Sequence, residues 1–504
     1  MRILHAGWGF QPWRTGGLIA YAEGVMRPQA ERGHAVGYFC AGRHYPLLRR
    51  PRLHRWSRSG VEMFEVLNSP IVVAVDMGTA DPLQELDEPH TERLFREVLT
   101  EFRPDVLHLQ ELFGLPSSLI DVAHEAGVPV VMTLQDYLPL CPTLKLFDTE
   151  QRICLRRDPG EQCSECCAAA PLDSKALRSQ TLGVHLVNLG RRLPRARDAA
   201  WRAFELALPW LPDPRSPAQG RSLPSTTKAS PFLAPDYQRR RDRNVERLSR
   251  VDLLLAMSHR VAEIYSELGV DSERLRTFHL TLEHLAHLRP RSFDGPSRPL
   301  RFATLNGASS VQKGAAVILE AVRRLDAAGM AEAYTLSVYG LVDEGVRAGL
   351  GQSPAVRIEG PYDVGGLNKL LDSVDVGIVP SVWEEAYAYV GVEFLAKGIP
   401  VIGNARGGIA DYVWPGETGW LNEDASARGL AELMAQAVRR PQDVHRLHGR
   451  ILARRDELIK TVDQHVLELE DVYREVAARF GRECARTNRP KAPRQPRGST
   501  TPPG

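Results

Sequence analysis

The chain has 504 residues, 43% of them hydrophobic, which is enough for two ordinary cores and too much for one compact domain. Its 64 Lys and Arg residues nearly balance 62 Asp and Glu residues, so the net charge gives no reason to expect nucleic acid as a partner. We see no secretory signal pattern and no apolar run long enough to cross a bilayer, and we therefore expect a cytoplasmic protein.

Short apolar runs alternate with amphipathic segments through the first half of the chain. Strands are predicted at Arg2–Ala6, Val36–Phe39, Val106–Leu109 and Val128–Leu134. Helices are predicted at Glu92–Phe102 and Pro116–Ala126. This βα alternation predicts a parallel sheet with helices on both faces.

The alternation restarts near Arg301 and predicts a second domain of the same type. Its strands are predicted at Phe302–Leu305, Tyr334–Val338, Val356–Glu359, Val376–Val379 and Pro400–Ile402. The Pro-rich segment Leu288–Leu300 is the candidate linker. We therefore predict an α/β protein with an N-terminal domain at 1–288, a C-terminal domain at 289–458 and a helix at 459–482 that crosses back to the first domain.

Two stretches interrupt this pattern. Residues 178–250 carry fifteen Arg or Lys against six acids, so we predict a basic insertion at about 168–250. Its segment Leu186–Leu211 interleaves tryptophans with arginines, which is typical either of a surface helix at anionic lipid or of solvated decoration. The tail at 483–504 has no apolar run, and disorder is expected there.

The most informative motif is a predicted strand, loop, helix and strand between Ile378 and Ile402. Glu385 follows the first strand, at the edge where open α/β sheets bind ligands, and Glu393 lies about two helical turns further on. One carboxylate can then reach a sugar and the other a ribose. Two solvated acids beside a turn are the alternative interpretation.

Two glutamates separated by seven residues, after Pro-Ser-x-Trp-Glu and before Gly-x-Pro-Val-Ile, resemble the signature of retaining glycosyltransferase family 4. The resemblance implies the GT-B fold, in which two Rossmann-like domains face a cleft. It implies that Glu385 contacts the donor sugar and that Glu393 holds the ribose. It also implies further donor contacts from Ser381, Tyr387, Ala388, Tyr389 and Val390.

A nucleoside diphosphate leaving group needs positive charge or backbone N–H groups where negative charge develops. Lys313 and Gly314 follow a predicted strand and open a helix, whose N-terminus also favours anions. The segment resembles the family's Lys-Gly diphosphate site and implies a catalytic role for Lys313. The arginine that usually precedes this lysine is absent from 306–312, and a solvated lysine is the alternative.

Gly16 and Gly17 follow the first strand and permit close approach of the backbone to a ligand. Simple chain reversal is the other use of such a pair. The segment Arg32-Gly-His falls where the family has a similar turn, so the resemblance implies that Gly17 offers an amide near the donor phosphates.

Two loops of the first domain resemble the sugar-side loops of the family. The first supplies His108 and Glu111, and the second supplies Gln135, Asp136 and Tyr137. Relatives commonly carry histidine where this chain has Gln135, so a group that orients substrate but cannot titrate is expected there. His108 is equally consistent with a structural histidine at a strand end.

No Asp-x-Asp motif stands out at a strand end, so we expect no metal or other cofactor to be required for catalysis. The family resemblance implies front-face transfer assisted by the leaving phosphate. The cysteines form a separate group in which Cys163 and Cys166 have the two-residue gap of a chelating pair. A structural zinc held by Cys141, Cys154, Cys163 and Cys166 and a loop of reduced thiols both stay open.

The sequence therefore predicts a retaining transferase that moves a sugar from a nucleotide-sugar donor to a glycan, lipid-linked or small-molecule acceptor, in polysaccharide or glycoconjugate biosynthesis. Peripheral contact with the inner face of the cell membrane through the basic insertion belongs to the same hypothesis. Two rivals stay open, namely a sugar-nucleotide epimerase of the same fold and a non-catalytic binding module for nucleotide sugars or glycans.

Overall fold

The computed structural model describes residues 1–45, 50–74, 77–170, 181–185 and 232–487. The first domain contains ten of the strands, β1 Arg2–Gly7, β2 Ala35–Ala41, β3 Arg52–Arg58, β4 Val61–Leu67, β5 Val73–Ala74, β6 Gly78–Thr79, β7 Val106–Leu109, β8 Val130–Leu134, β9 Leu253–Ala256 and β10 Leu275–Thr277. Its helices are α1 Gly17–Glu31, α2 Pro89–Phe102, α3 Leu119–Glu125, α4 Gly160–Cys166, α5 Ala234–Leu248 and α6 His259–Glu267.

The second domain contains β11 Leu300–Thr304, β12 Tyr334–Tyr339, β13 Val356–Gly360, β14 Val376–Val379, β15 Val401–Asn404 and β16 Gly419–Asn422. Its helices are α7 Ala315–Ala327, α8 Glu344–Leu350, α9 Leu367–Leu371, α10 Tyr389–Ala396, α11 Ala427–Arg439, α12 Pro441–Ala453 and α13 Arg455–Leu458, and the chain continues into α14 Val462–Thr487. The predicted strands of both halves therefore form, within a few residues of their expected bounds.

Each domain is built on one large sheet. The first has the order β10-β9-β8-β7-β1-β2-β4-β3 and is parallel except for the β3–β4 hairpin, and the second has the order β13-β12-β11-β14-β15-β16 and is parallel throughout. The central strands are buried on both faces, as expected of a sheet covered by helices. The predicted pair of doubly wound α/β domains is thus confirmed.

The strand order of each sheet reverses at one place. In the first sheet β1 lies between β2 and β7, and in the second β11 lies between β12 and β14. Helices that leave such neighbouring strands go to opposite faces, which opens a crevice beyond the carboxyl ends of the strands. The loops after β1, β7, β11 and β14 therefore occupy the positions where this fold binds ligands.

The last helix, α14, returns to the first domain and packs on α1. His465 hydrogen-bonds the Tyr21 hydroxyl at 2.8 Å, and Arg32 donates to Glu470 at 2.7 Å. Tyr473 reaches His108 with a hydroxyl-to-Nδ1 distance of 2.6 Å. The final helix thus completes the core of the domain in which the chain began. It runs five residues past the predicted boundary at 482, and the remainder of the tail, 488–504, lies outside the described residues.

Part of the predicted basic insertion is an integral element of the first domain. In α5, Arg240, Arg241 and Arg247 are all buried. Arg240 donates to Glu85 at 2.5 Å and to the Leu138 carbonyl at 2.7 Å. Residues 234–248, which were predicted to lie in the insertion, thus form a helix packed into the first domain, and local charge does not show that carboxylates and carbonyls elsewhere in the chain surround these arginines.

The segment Leu186–Leu211, to which membrane contact was assigned, lies outside the described residues. Within the part of the chain that the structure describes, no helix combines the length and apolarity that a bilayer span requires.

Candidate active site

The carboxyl edges of the two sheets face each other across the domain junction. The Arg260 guanidinium of α6 lies 3.3 Å from the Glu384 carboxylate of the second domain. The ring of His279, just after β10, stacks on Tyr387 with centroids 5.5 Å apart. The loops after β8, β9 and β10 therefore lie against the loops after β14 and β15, and this junction contains the predicted site residues.

Glu385 lies in the loop after β14 and is the centre of the site in the second domain. Its Oε2 accepts a hydrogen bond from the Ser381 hydroxyl at 2.6 Å, and its Oε1 is paired with the Lys313 ammonium. The Ser381 hydroxyl in turn accepts from the Asn306 amide at 3.2 Å. The structure thus brings Lys313 and Glu385 together across the β11/β14 switch point.

Ser381 supports the Glu385 carboxylate. The residue is fully buried, and its hydroxyl is engaged by both Glu385 and Asn306. The hydroxyl thus orients the Glu385 carboxylate in this structure, and a donor contact of its own stays a prediction.

The loop that carries Lys313 has a backbone that requires glycine. Gly314 has φ +80°, and a Cβ there would lie 2.0 Å from the Pro380 carbonyl oxygen. Any side chain would therefore push the Lys313 loop away from the loop that carries Glu385. The Lys313 ammonium, on a side chain that is 34% exposed, also lies 5.7 Å from the ring centroid of Trp383. Gly314 thus lets the two loops approach each other, and Lys313 then reaches Glu385 and Trp383.

Two helix N-termini open beside this carboxylate. In the described structure no side chain caps α7 or α10, whose N-cap residues are Gly314 and Ala388. Ala388 is held in the left-handed region, at φ 57°, and its carbonyl accepts a hydrogen bond from Tyr412 at 2.9 Å. Uncapped N-termini present backbone N–H groups and positive potential, so they favour an anion such as a diphosphate.

The glycine pair after β15 holds the Glu385 loop in place. Gly407 N–H donates to the Glu384 carboxylate and Gly408 N–H to the Glu385 carbonyl, both at 2.8 Å. A Cβ on Gly407 would lie 1.8 Å from the same carbonyl oxygen. Glu384, held by Arg260 and Gly407, is thus a bridge between the domains, which leaves Glu385 as the carboxylate that faces Lys313.

Glu393 lies in α10 and is nearly buried. Its Oε1 is hydrogen-bonded to His284 Nε2 at 2.7 Å, and its Oε2 is buried without a hydrogen-bond partner among the described residues. A buried carboxylate oxygen that lacks a donor is costly, so a hydroxyl supplied by a ligand would stabilise it. His284 comes from the segment between β10 and β11, and no sequence motif indicated it.

Gly16 and Gly17 form the N-terminus of α1, which also lacks a side-chain cap in the described structure. A Cβ added at either position would meet no atom within 4 Å. A ligand therefore has room to approach the backbone at both glycines. At Gly16 the positive φ of +116° also favours glycine whether or not a ligand binds there.

His108 is not a substrate contact in this structure. Its side chain is 0% exposed, Nε2 is hydrogen-bonded to the Thr133 hydroxyl at 2.7 Å, and Nδ1 to the Tyr473 hydroxyl at 2.6 Å. Burial holds its pKa well below the usual value. The structural alternative is therefore the one that the geometry supports, and His108 is withdrawn from the acceptor-side group.

The other residues of the sugar-side loops lie together near the junction. The Gln135 amide donates to the Gln110 side chain and carbonyl, both at 3.3 Å. Burial raises the pKa of Glu111 to about 8 and that of Asp136 to about 6. Each of these two carboxylates, and the Tyr137 hydroxyl, has a buried oxygen without a hydrogen-bond partner among the described residues. Polar atoms that need partners thus gather on the first-domain side.

The cysteines form a loose cluster near Cys141. Cys154, Cys163 and Cys166 each interact electrostatically with it, and burial raises the pKa of Cys166 to about 11. Among the described residues, however, three of these sulfur atoms do not lie within the 4.8 Å that would mark a ready set of ligands. The four thiols would have to approach one another to hold zinc, and the zinc site stays a prediction.

Zinc in this cluster is expected to appear as about one equivalent per chain in freshly purified, tag-free protein, measured by plasma mass spectrometry. Replacing Cys163 and Cys166 together by serine should remove it, because two of four ligands are lost. Replacing Cys40, a buried thiol far along the chain from this group, should leave the metal content unchanged. Wild-type protein without stoichiometric zinc would contradict the prediction.

Two parallel sheets that oppose their carboxyl edges, with site residues after the strands at both switch points, define the GT-B class of fold. Two family models match the chain, "Glycosyl transferase 4-like domain" over residues 16–159 and "Glycosyl transferases group 1" over residues 302–440. The chain belongs to the group 1 glycosyltransferases.

Curated relatives are similar over part of the chain. WcaL of Escherichia coli K12, named as a colanic acid biosynthesis glycosyltransferase, is 27% identical over 40% of this chain and 49% of its own length. The amylovoran biosynthesis glycosyltransferase AmsK of Erwinia amylovora is 24% identical over 45% of this chain and 55% of its own length. The matched part thus spans about half the length of these relatives.

Solved structures share the fold over nearly the whole chain. Anabaena HepE in complex with UDP has a TM-score of 0.55 at 13% identity and covers 94% of this chain and 100% of its own. Sucrose-phosphate synthase from Thermosynechococcus elongatus has a TM-score of 0.55 at 15% identity and covers 95% and 100%. At these identities the likeness establishes the two-domain architecture.

Proposed function

We propose that this chain is a retaining glycosyltransferase that moves a sugar from a nucleotide-sugar donor to a glycan, lipid-linked or small-molecule acceptor in polysaccharide biosynthesis. The observation that carries the proposal is the Lys313–Glu385 pair at the β11/β14 switch point, between two uncapped helix N-termini. The names of the relatives, which refer to colanic acid and amylovoran biosynthesis, support the acceptor class.

The donor diphosphate would bind against Lys313 and the N-termini of α7 and α10. During transfer the bond between the anomeric carbon and the diphosphate oxygen breaks, and negative charge develops on that oxygen. The Lys313 ammonium and backbone N–H groups of the segment from Tyr387 to Val390 would stabilise this charge. Lys313 thus exchanges its present partner, Glu385, for a phosphate.

Release from Lys313 leaves Glu385 available to the donor sugar. Because Ser381 fixes one carboxylate oxygen at 2.6 Å, the other oxygen keeps a defined position in which it can accept hydrogen bonds from sugar hydroxyls. Glu393 would accept the ribose hydroxyls through Oε2, the buried atom without a partner. The two carboxylates then orient the two ends of the donor.

The configuration at the anomeric carbon is retained if the acceptor hydroxyl attacks from the face that the diphosphate leaves. The acceptor oxygen bonds to the anomeric carbon, and its proton passes to the departing phosphate oxygen. No protein base is therefore needed to take up that proton. Gln135, Glu111, Asp136 and Tyr137 would bind the acceptor from the first domain. We propose no metal or other cofactor for this reaction.

The donor site is tested by thermal unfolding of the purified chain with nucleoside diphosphates and nucleotide sugars. The panel begins with UDP and ADP, the nucleotides in the solved structures of Anabaena HepE and of the catalytic domain of Arabidopsis starch synthase IV. A ligand at about one hundred times its Kd stabilises the folded state by about 2.7 kcal/mol. Nucleotides with the base that the site prefers should therefore raise the melting temperature more than the other nucleotides of the panel do. Glu393→Ala should lose this shift, whereas Glu432→Ala, an exposed acid on α11, should retain it.

The products then separate the transferase from its rivals. A transferase releases a nucleoside diphosphate and forms a new glycoside, an epimerase returns an isomeric donor, and a binding module leaves the donor unchanged. If no ligand of the panel raises the melting temperature of the wild-type chain, the donor site is refuted.

A further inference from the structure

Two histidines of the first domain and one aspartate of the second meet at the domain junction. His259 is the first residue of α6, His279 follows β10, and Asp411 ends the turn after β15. Their possible ligand atoms all lie within 4.8 Å of one another, and no other group of three or more His, Cys, Asp or Glu residues in the described part of the chain does so. None of the three was indicated by a sequence motif, because they are far apart in the chain.

The three side chains converge on one point. Asp411 Oδ2 lies 3.0 Å from His259 Nδ1 and 2.8 Å from His279 Nε2. The same oxygen accepts the backbone N–H of His259 at 2.9 Å. Asp411 is nearly buried, with a side chain 6% exposed, whereas that of His259 is 70% exposed. One side of the group is thus held in the protein and the other is open to water.

We propose that His259, His279 and Asp411 form a binding site for a divalent transition-metal ion, of the Zn²⁺ or Co²⁺ type, that bridges the two domains. Two imidazoles and one carboxylate form a donor set that these ions accept, and solvent on the open side supplies the remaining ligands. Ligand atoms at the corners of a zinc tetrahedron are about 3.3 Å apart, given bond lengths of about 2.0 Å. The two distances from Asp411 Oδ2 need to open by only a few tenths of an ångström.

The surroundings fix the ligands before any ion arrives. The ring of His279 stacks on Tyr387 at a tilt of 26°, which restricts its rotation. The His259 N–H holds the carboxylate of Asp411 in place. Ligands that are oriented by their neighbours bind metals more tightly than free side chains do.

An ion at this position would favour contact between the domains, because each domain supplies ligands. Asp411 belongs to the same turn as Gly408, whose N–H holds the Glu385 carbonyl, and Tyr387 is part of the loop after β14. The metal site therefore adjoins the candidate active site without sharing its residues. The proposal stands whether or not the chain transfers sugar, since it rests on the junction alone.

The test is a titration of tag-free, full-length protein with Co²⁺ alone, followed by its visible absorption. Nitrogen and oxygen ligands give ligand-field bands, and cysteine ligands add thiolate charge-transfer absorption, so binding to the cysteine cluster is recognised separately. We expect about one thiolate-free Co²⁺ per chain in the wild type. Loss of one ligand in His259→Ala, or in Asp411→Asn, should weaken its affinity about tenfold or more.

His90→Ala removes another exposed histidine, at the start of α2, and should bind Co²⁺ as the wild type does. Because His259 is mostly exposed, its replacement is not expected to unfold the chain, and circular dichroism checks this. Equal affinity in the wild type, His259→Ala and Asp411→Asn would overturn the proposal, as would a wild type whose bound Co²⁺ is entirely thiolate-ligated. Either result would leave the three residues as a hydrogen-bonded contact between the domains.

Discussion

Replacing Lys313 by methionine is expected to lower the rate of sugar transfer at saturating donor by about 10²–10³-fold. Methionine retains most of the apolar stem beside Trp383 and removes the charge that would stabilise the leaving diphosphate. The interaction strengthens as negative charge develops, so kcat should fall more than donor affinity does. Release of nucleoside diphosphate, measured with increasing donor, gives both quantities.

Lys369→Met is the matched control for this variant. Lys369 is an exposed lysine of α9 in the same domain, and its replacement changes the net charge by the same amount. Its kcat should equal that of the wild type. A Lys313→Met protein that is folded and turns over at the wild-type rate would show that Lys313 does not act on the leaving group.

Replacing Glu85 by alanine is expected to destabilise the first domain by about 3–5 kcal/mol. The substitution leaves the Arg240 guanidinium buried without its carboxylate, because only carbonyl oxygens such as that of Leu138 then remain as acceptors. Denaturant unfolding, followed by fluorescence and compared through the midpoint and slope, measures the loss.

The same helix supplies the control. Arg243 and Glu246 form an exposed pair at 2.5 Å on α5, and exposed pairs contribute about 0–1 kcal/mol. Glu246→Ala should therefore shift the midpoint only slightly. Similar losses for Glu85→Ala and Glu246→Ala would mean that the buried pair contributes no more than an exposed one.

The sequence was most informative where chemistry depends on local order. Buried strands show as short apolar runs, and Glu385 and Lys313 each lie in a loop after a strand, so their place at a sheet edge could be predicted. The pairing of Lys313 with Glu385 follows from the strand order β12-β11-β14. Periodicity does not encode that order, and the pairing was not predicted from the sequence.

The features that the sequence could not show depend on partners far along the chain. His108 is covered by Tyr473, which lies 365 residues later, and the arginines of α5 find acceptors in loops about one hundred residues earlier. The polar strand β3 and the short strand β16 were also not predicted, since polar and short strands give weak hydrophobic patterns. His284 and Arg260 carry no local signal and reach the site only because the two domains meet.

The return of α14 to the first domain has a consequence for synthesis on the ribosome. Val466, Leu469 and Tyr473 belong to the first domain's core, yet they are translated after the entire second sheet. The nascent first domain therefore cannot close its apolar surface while the second is being made, and that surface stays open to chaperones and to aggregation until α14 has been translated. A stop codon placed just before α14 should yield an insoluble product, although it would leave every strand of both sheets intact.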